Sequence, residues 1–153
     1  MAEMTLVDTQ PRETAVVRGR VTRRDLPDFL GKAFAAVGDA VERQDTHVTG
    51  PPLAVYRLPG ADGFDVEAGF PVAAAIVADG PVVPGMLPGG RTVEAVHVGP
   101  YETLPAAYAA MAAWIRGHGL RSSPGRWEVY LTDPDQAPPS TLLVQPVEDA
   151  QAS

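Results

Sequence analysis

The sequence predicts an α+β fold made of two similar halves. Each half is a strand, a helix and then at least two antiparallel strands, a βαββ unit repeated about a pseudo-twofold axis. Three observations carry this reading. Asp25-Leu26-Pro27 and Thr103-Leu104-Pro105 open helical stretches in the same way. Val55-Tyr56 and Val129-Tyr130 recur in the strands that follow those helices. Pro71-Val72 and Pro146-Val147 then follow the last strand of each half. Three matches in one order, at nearly constant spacing, mark an internal repeat.

The elements can be justified in turn. Residues 1–12 read as a flexible N-terminal tail and residues 149–153 as a second tail, because chain ends are seldom tied down. The first repeat spans 13–78. It opens with a β-branched strand over Glu13–Val21 and continues into a helix for which Asp25 is the expected cap and Pro27 a first-turn proline. Leu26, Leu30, Ala33, Val37 and Val41 give that helix one apolar face, and it is expected to end near Gln44-Asp45. Strands are expected at Leu53–Leu58 and Phe64–Phe70, joined by a turn over Pro59–Gly63. Residues 79–90 carry prolines and glycines that forbid a long helix and read as an irregular crossover.

The second repeat, 91–148, follows the same order. A strand over Arg91–Val98 leads through Gly99-Pro100-Tyr101 to a helix capped by Thr103 and ended by Gly117 and Gly119. Leu104, Tyr108, Met111 and Ile115 form its apolar face. Strands are expected at Trp127–Leu131 and Thr141–Gln145, with a turn at Asp133-Pro134-Asp135 between them.

Composition narrows the function classes. With 153 residues, 45% hydrophobic and 20% charged, the chain has a globular balance and enough length to bury a core without covalent staples. It has no cysteine, which excludes disulfides, thiolate metal sites and a cysteine nucleophile and fits a cytoplasmic location. The N-terminus is acidic and short of apolar residues, unlike a signal peptide, and no stretch is long enough for a membrane span. A net charge of −7 disfavours direct nucleic-acid binding, since the one basic cluster, Arg18, Arg20, Arg23 and Arg24, is small. No pair of histidines has metal-ligand spacing, so no metal is expected. Pro88-Gly89-Gly90 fits neither a phosphate loop nor a dinucleotide fingerprint, and no cofactor is expected.

Leu87-Pro88-Gly89-Gly90, Val96-His97-Val98-Gly99-Pro100-Tyr101-Glu102, a helix ending near Trp114, Trp127-Glu128-Val129-Tyr130-Leu131 and Gln145-Pro146-Val147 occur in that order. Together they resemble the GyrI-like family, the effector-binding domains of transcription activators. The resemblance covers roughly residues 13–148. It implies a cleft between the two halves that takes drug-like, often cationic and aromatic, molecules. Because the chain leaves no room for a fused DNA-binding module, it looks like the stand-alone form. Some stand-alone members are similar to hydrolases of reactive cyclopropane-containing natural products, and one member is a gyrase inhibitor.

Glu128 is the leading site candidate. Period-two alternation puts Trp127, Val129 and Leu131 on one face of the strand and Glu128 with Tyr130 on the other. The matching position in the first half is Ala54, so the repeat does not need an acid there to fold. The family's motif places a ligand-binding glutamate in this strand, and Glu128 matches it. Without the resemblance, a solvated strand face is the simpler explanation, since glutamate is rarely fully buried. Tyr56 and Tyr130 are mates across the repeat and are candidates to line the cleft, against plain cross-strand packing. Tyr108 reads more as core than as pocket, while family helices contribute aromatics to the cleft. His97 and Tyr101 complete the ligand-binding candidates. Asp65 and Glu67 read as solvated, with Glu67 reaching the cleft as the lesser alternative.

Three functions follow as expectations. The first is a small-molecule-binding protein that senses or sequesters a toxic, hydrophobic, cationic compound. The second is a hydrolase of reactive cyclopropane-type compounds with Glu128 as its catalytic acid or base. The third is an interaction protein resembling a gyrase inhibitor. A tyrosine hydroxyl on the carboxylate, beside room for water, would favour hydrolysis; an apolar cleft with one carboxylate would favour binding. A monomer or a homodimer fits a sheet with exposed edges.

Overall fold

The computed structural model describes residues 3–60, 63–133 and 135–150, which form nine strands and two α-helices. The chain divides into two compact units, Gln10–Gly89 and, in the other, the strand Thr5–Thr9 together with the chain from Gly90 onward. The α+β class and the antiparallel pairing are those expected.

The first unit holds β2 (Arg12–Val21), α1 (Leu26–Glu42), β3 (Leu53–Gly60), β4 (Gly63–Pro71) and β5 (Val82–Leu87). Its strands lie in the order β3-β4-β2-β5, all antiparallel. The apolar face of α1 packs Val37, Ala40 and Val41 against Ala15, Val72, Ile76 and Val82. Gly69 is required where β2 and β4 approach, because a β-carbon there would lie 1.9 Å from the Ala15 carbonyl oxygen.

The second unit holds β1 (Thr5–Thr9), β6 (Gly90–Val98), α2 (Leu104–Gly117), β7 (Leu120–Ser122), β8 (Arg126–Tyr130) and β9 (Ser140–Asp149). Its main order is β8-β9-β6-β1, with β7 pairing the far end of β9. Met111 and Ile115 of α2 pack on Val93, Ala95, Leu120, Leu143 and Val147. The two units therefore share one strand order, with a βαββ core and an added edge strand. No helix among the described residues is long and apolar enough to cross a membrane.

Several expectations need correction. The tail over 1–12 is in part a strand, because Thr5-Leu6-Val7-Asp8-Thr9 can satisfy its backbone groups on the open edge of β6. The crossover over 79–90 contains β5, and its Pro84 is tolerated because β5 is the edge strand of this order among the described residues. β9 continues to Asp149, into the expected C-terminal tail; residues 151–153 lie outside the described residues. So do residues 61 and 62 in the expected Pro59–Gly63 turn, and Pro134 in the next turn.

Both helix caps also differ from expectation. Asp25 and Thr103 occupy the cap positions, but neither side chain bonds the helix N–H groups. The Thr22 hydroxyl donates to the Asp25 carboxylate at 3.1 Å. The Thr103 hydroxyl donates to the Pro100 carbonyl at 2.7 Å. Each side chain fixes the turn into its helix, a local bond that competes with capping.

Candidate functional site

Strand β8 delivers Glu128 to the helix-covered side of the second unit's sheet. Glu128 lies opposite Leu143 of β9, and Leu143 opposite Ala95 of β6. Directly opposed residues share a face. Leu143 and Ala95 are core residues under α2, so Glu128 points into that core edge and is only 7% exposed. A solvated strand face is thereby excluded for it.

Two tyrosine hydroxyls hold the carboxylate. Tyr108, on α2, donates to Oε2 at 2.7 Å, and Tyr130, two residues further along β8, donates to Oε1 at 3.0 Å. Bonds to an ionised acceptor are short and about twice as strong as neutral ones. A carboxylate offers about four lone-pair sites. The two hydroxyls thus fix its orientation and leave acceptor capacity on both oxygens.

Around this pair the site is aromatic. The Tyr101 ring meets the Tyr130 ring edge-on, with centroids 6.4 Å apart. The Arg126 guanidinium carbon lies 3.8 Å from the centroid of the Tyr108 ring. Among the described residues, no lysine or arginine forms an ion pair with Glu128. No three His, Asp or Glu side chains among them gather to hold a metal ion.

Burial and, secondarily, the negative charge of Glu128 push the Tyr101 phenol above its usual value of 10.0. A raised acid of this kind keeps its proton longer when folded than when unfolded. Its contribution to stability is therefore complete below about pH 10 and is lost as pH rises through the folded-state value. Glu128→Gln is expected to lower the Tyr101 titration midpoint, read by ultraviolet difference absorbance against Tyr101→Phe. An unchanged midpoint would mean that the Glu128 charge does not reach Tyr101.

Of the residues singled out in the sequence, Glu128, Tyr130, Tyr108 and Tyr101 come together. Tyr108 was expected mainly as core. Its ring does pack at the core's margin, but its hydroxyl extends past the apolar layer to the carboxylate. His97 shares the sheet face through the row His97–Thr141–Tyr130, and it serves the turn instead of the carboxylate. Its Nε2 lies 2.8 Å from the Thr103 hydroxyl, which already donates to Pro100 and so accepts from the ring.

Tyr56 belongs to the first unit, where it is buried and meets Phe64 edge-on with centroids 5.8 Å apart. Against expectation Glu67 is not solvated, since its side chain is 12% exposed and takes Arg18 at 3.2 Å and Arg57 at 3.3 Å, while the exposed Asp65 takes Arg20 at 2.8 Å. Arg126 was missed, although period two places it on the Glu128 face. Thr141 was missed as well. It is fully buried in the same row, and its hydroxyl has no hydrogen-bond partner among the described residues.

Comparison with solved structures shows the same fold. The C-terminal domain of EcmrR is 19% identical with a TM-score of 0.83, over 97% of this chain and 99% of that one. A hydrolase from Listeria innocua is 17% identical with a TM-score of 0.65, over 95% and 92%. SAV2435, solved bound to tetraphenylphosphonium, is 11% identical with a TM-score of 0.59, over 95% and 94%. No curated protein sequence matches this one. The family model for the GyrI-like small molecule binding domain matches residues 2–145, and the chain belongs to that family.

Proposed function

We propose that the second unit binds a cationic, aromatic small molecule at Glu128, with Tyr108, Tyr130 and Tyr101 around it, and that this binding senses or sequesters a toxic compound. One observation carries the proposal: a buried carboxylate, held in place by two hydroxyls, makes no ion pair with a lysine or arginine among the described residues. Burying a charge without a direct ion-pair partner is costly, and a structure retains it where function needs it. A cation arriving there would meet a carboxylate with open acceptor sites and aromatic groups in reach. A charged hydrogen bond contributes about 1.5–3 kcal/mol and a cation–π contact about 0.5–2 kcal/mol. SAV2435, a structural neighbour, was solved with an aromatic cation of this class bound.

A thermal-shift panel of cationic aromatic compounds tests the proposal on wild type and Glu128→Gln. Stabilisation that falls in the variant is expected. Equal shifts in both proteins would sink the carboxylate–cation pairing.

A hydrolase is the second reading, favoured by the Tyr108 hydroxyl 2.7 Å from Glu128. Here Glu128 would take a proton from water as its oxygen bonds the electrophilic cyclopropane carbon. The strained C–C bond would break, its electrons passing into the conjugated acceptor, which then takes the proton held by Glu128. Binding is preferred because the rings of Tyr101, Tyr108 and Tyr130 gather around the carboxylate, the surroundings an aromatic cation uses. Hydrolysis requires a product carrying one added water, seen by mass spectrometry with wild type and lost with Glu128→Gln.

A further inference from the structure

Arg126 begins β8, two residues before Glu128, and period two puts both side chains on one face of the sheet. It is half-buried. Its guanidinium carbon lies 3.8 Å from the Tyr108 ring centroid. The same tyrosine donates its hydroxyl to Glu128 at 2.7 Å. Stacking on that ring therefore brings a positive charge beside the carboxylate without an ion pair. Among the described residues Arg126 forms no ion pair with any acid, whereas Arg18, Arg20, Arg43, Arg57, Arg91 and Arg121 each do.

A guanidinium is planar and weakly hydrated, which suits it to an aromatic face. A ring face within about 6 Å of a cation is also the surface a cationic aromatic ligand would use. We infer that Arg126 is a built-in competitor. It stands in for a cationic ligand on the Tyr108 ring, and it must leave that ring or share the field of Glu128 when such a ligand binds. Arg126 then sets selectivity. It partly offsets the Glu128 charge, so a small hydrated cation gains little from entering. A ligand that brings both charge and an aromatic surface can replace the stack that Arg126 gives up. A neutral aromatic feels no repulsion from Arg126 and no attraction to Glu128.

This inference rests on Glu128 being the cation-binding group, so the experiment separates the two. Isothermal titration measures Kd for N-methylphenanthridinium, a permanent cation, and for phenanthridine, its neutral parent. The proteins are wild type, Arg126→Gln, Arg126→Lys and Glu128→Gln, each checked for cooperative unfolding. Arg126→Gln is expected to raise the preference for the cation over the neutral probe roughly 3- to 30-fold. Arg126→Lys, which keeps the charge on a poorer stacking group, should raise it less. A preference that is unchanged or lowered in Arg126→Gln, or raised equally by both substitutions, would overturn the competitor role. Should Glu128→Gln leave the wild-type preference intact, or should neither probe bind any of the four proteins, the failure lies in the carboxylate site itself.

Discussion

Replacing Tyr108 and Tyr130 together by phenylalanine is expected to cost about 3–6 kcal/mol of folding stability, since each hydroxyl bond to an ionised group contributes about 1.5–3 kcal/mol. The reason is burial. Glu128 is 7% exposed, and the two hydroxyls are the donors that reach its oxygens at 2.7 and 3.0 Å. Either single variant leaves one donor in place and lets the carboxylate rotate toward it. The double variant strips both, so its cost should exceed the sum of the single costs, as for groups that share one network. Urea unfolding monitored at constant slope measures this. A double-variant cost below about 1 kcal/mol would show that water reaches Glu128 freely, at odds with a buried carboxylate.

Leu143→Ala is expected to cost about 2–5 kcal/mol, the usual range for a fully buried leucine cut to alanine. Leu143 is 0% exposed, lies between Glu128 and Ala95 in the sheet, and supports Met111 and Ile115 of α2. The cavity would open beneath the helix turn that carries Tyr108, so the hold on the carboxylate should loosen with it. Leu142 points to the opposite face and is only half-buried, so Leu142→Ala should cost clearly less. Equal costs for the two substitutions would contradict the assignment of the helix-covered face, and with it the direction in which Glu128 points.

Much of this arrangement was legible in the sequence, for reasons that also explain the rest. Period two along β8 pairs Glu128 with Tyr130 on one face, and that pairing depends only on the strand. The helical spacing of Leu104, Tyr108, Met111 and Ile115 gives the inward face of α2. The same spacing hides the role of Tyr108, since an aromatic on an apolar stripe looks like core; its hydroxyl meets Glu128 only once α2 is docked on the sheet. Arg126 reads as an ordinary charged residue at a strand start, and its stack on Tyr108 likewise depends on docking.

The edge strands were harder to read. Thr5–Thr9 sits at a chain end, and Val82–Leu87 carries a proline, so the local signals favour loops. Their pairing with β6 and β2 is decided by the open strand edges they satisfy, which no local pattern records. The caps show the reverse. Asp25 and Thr103 are good capping residues placed correctly, yet their side chains bond the preceding turn.

The central claim is that Glu128 holds a cation, and the ratio of two dissociation constants tests it most directly. Wild type should bind N-methylphenanthridinium more tightly than neutral phenanthridine, and Glu128→Gln should erase about 10- to 100-fold of that preference, the equivalent of one charged contact. A Glu128→Gln protein that folds cooperatively and keeps the full preference for the cation would contradict the account.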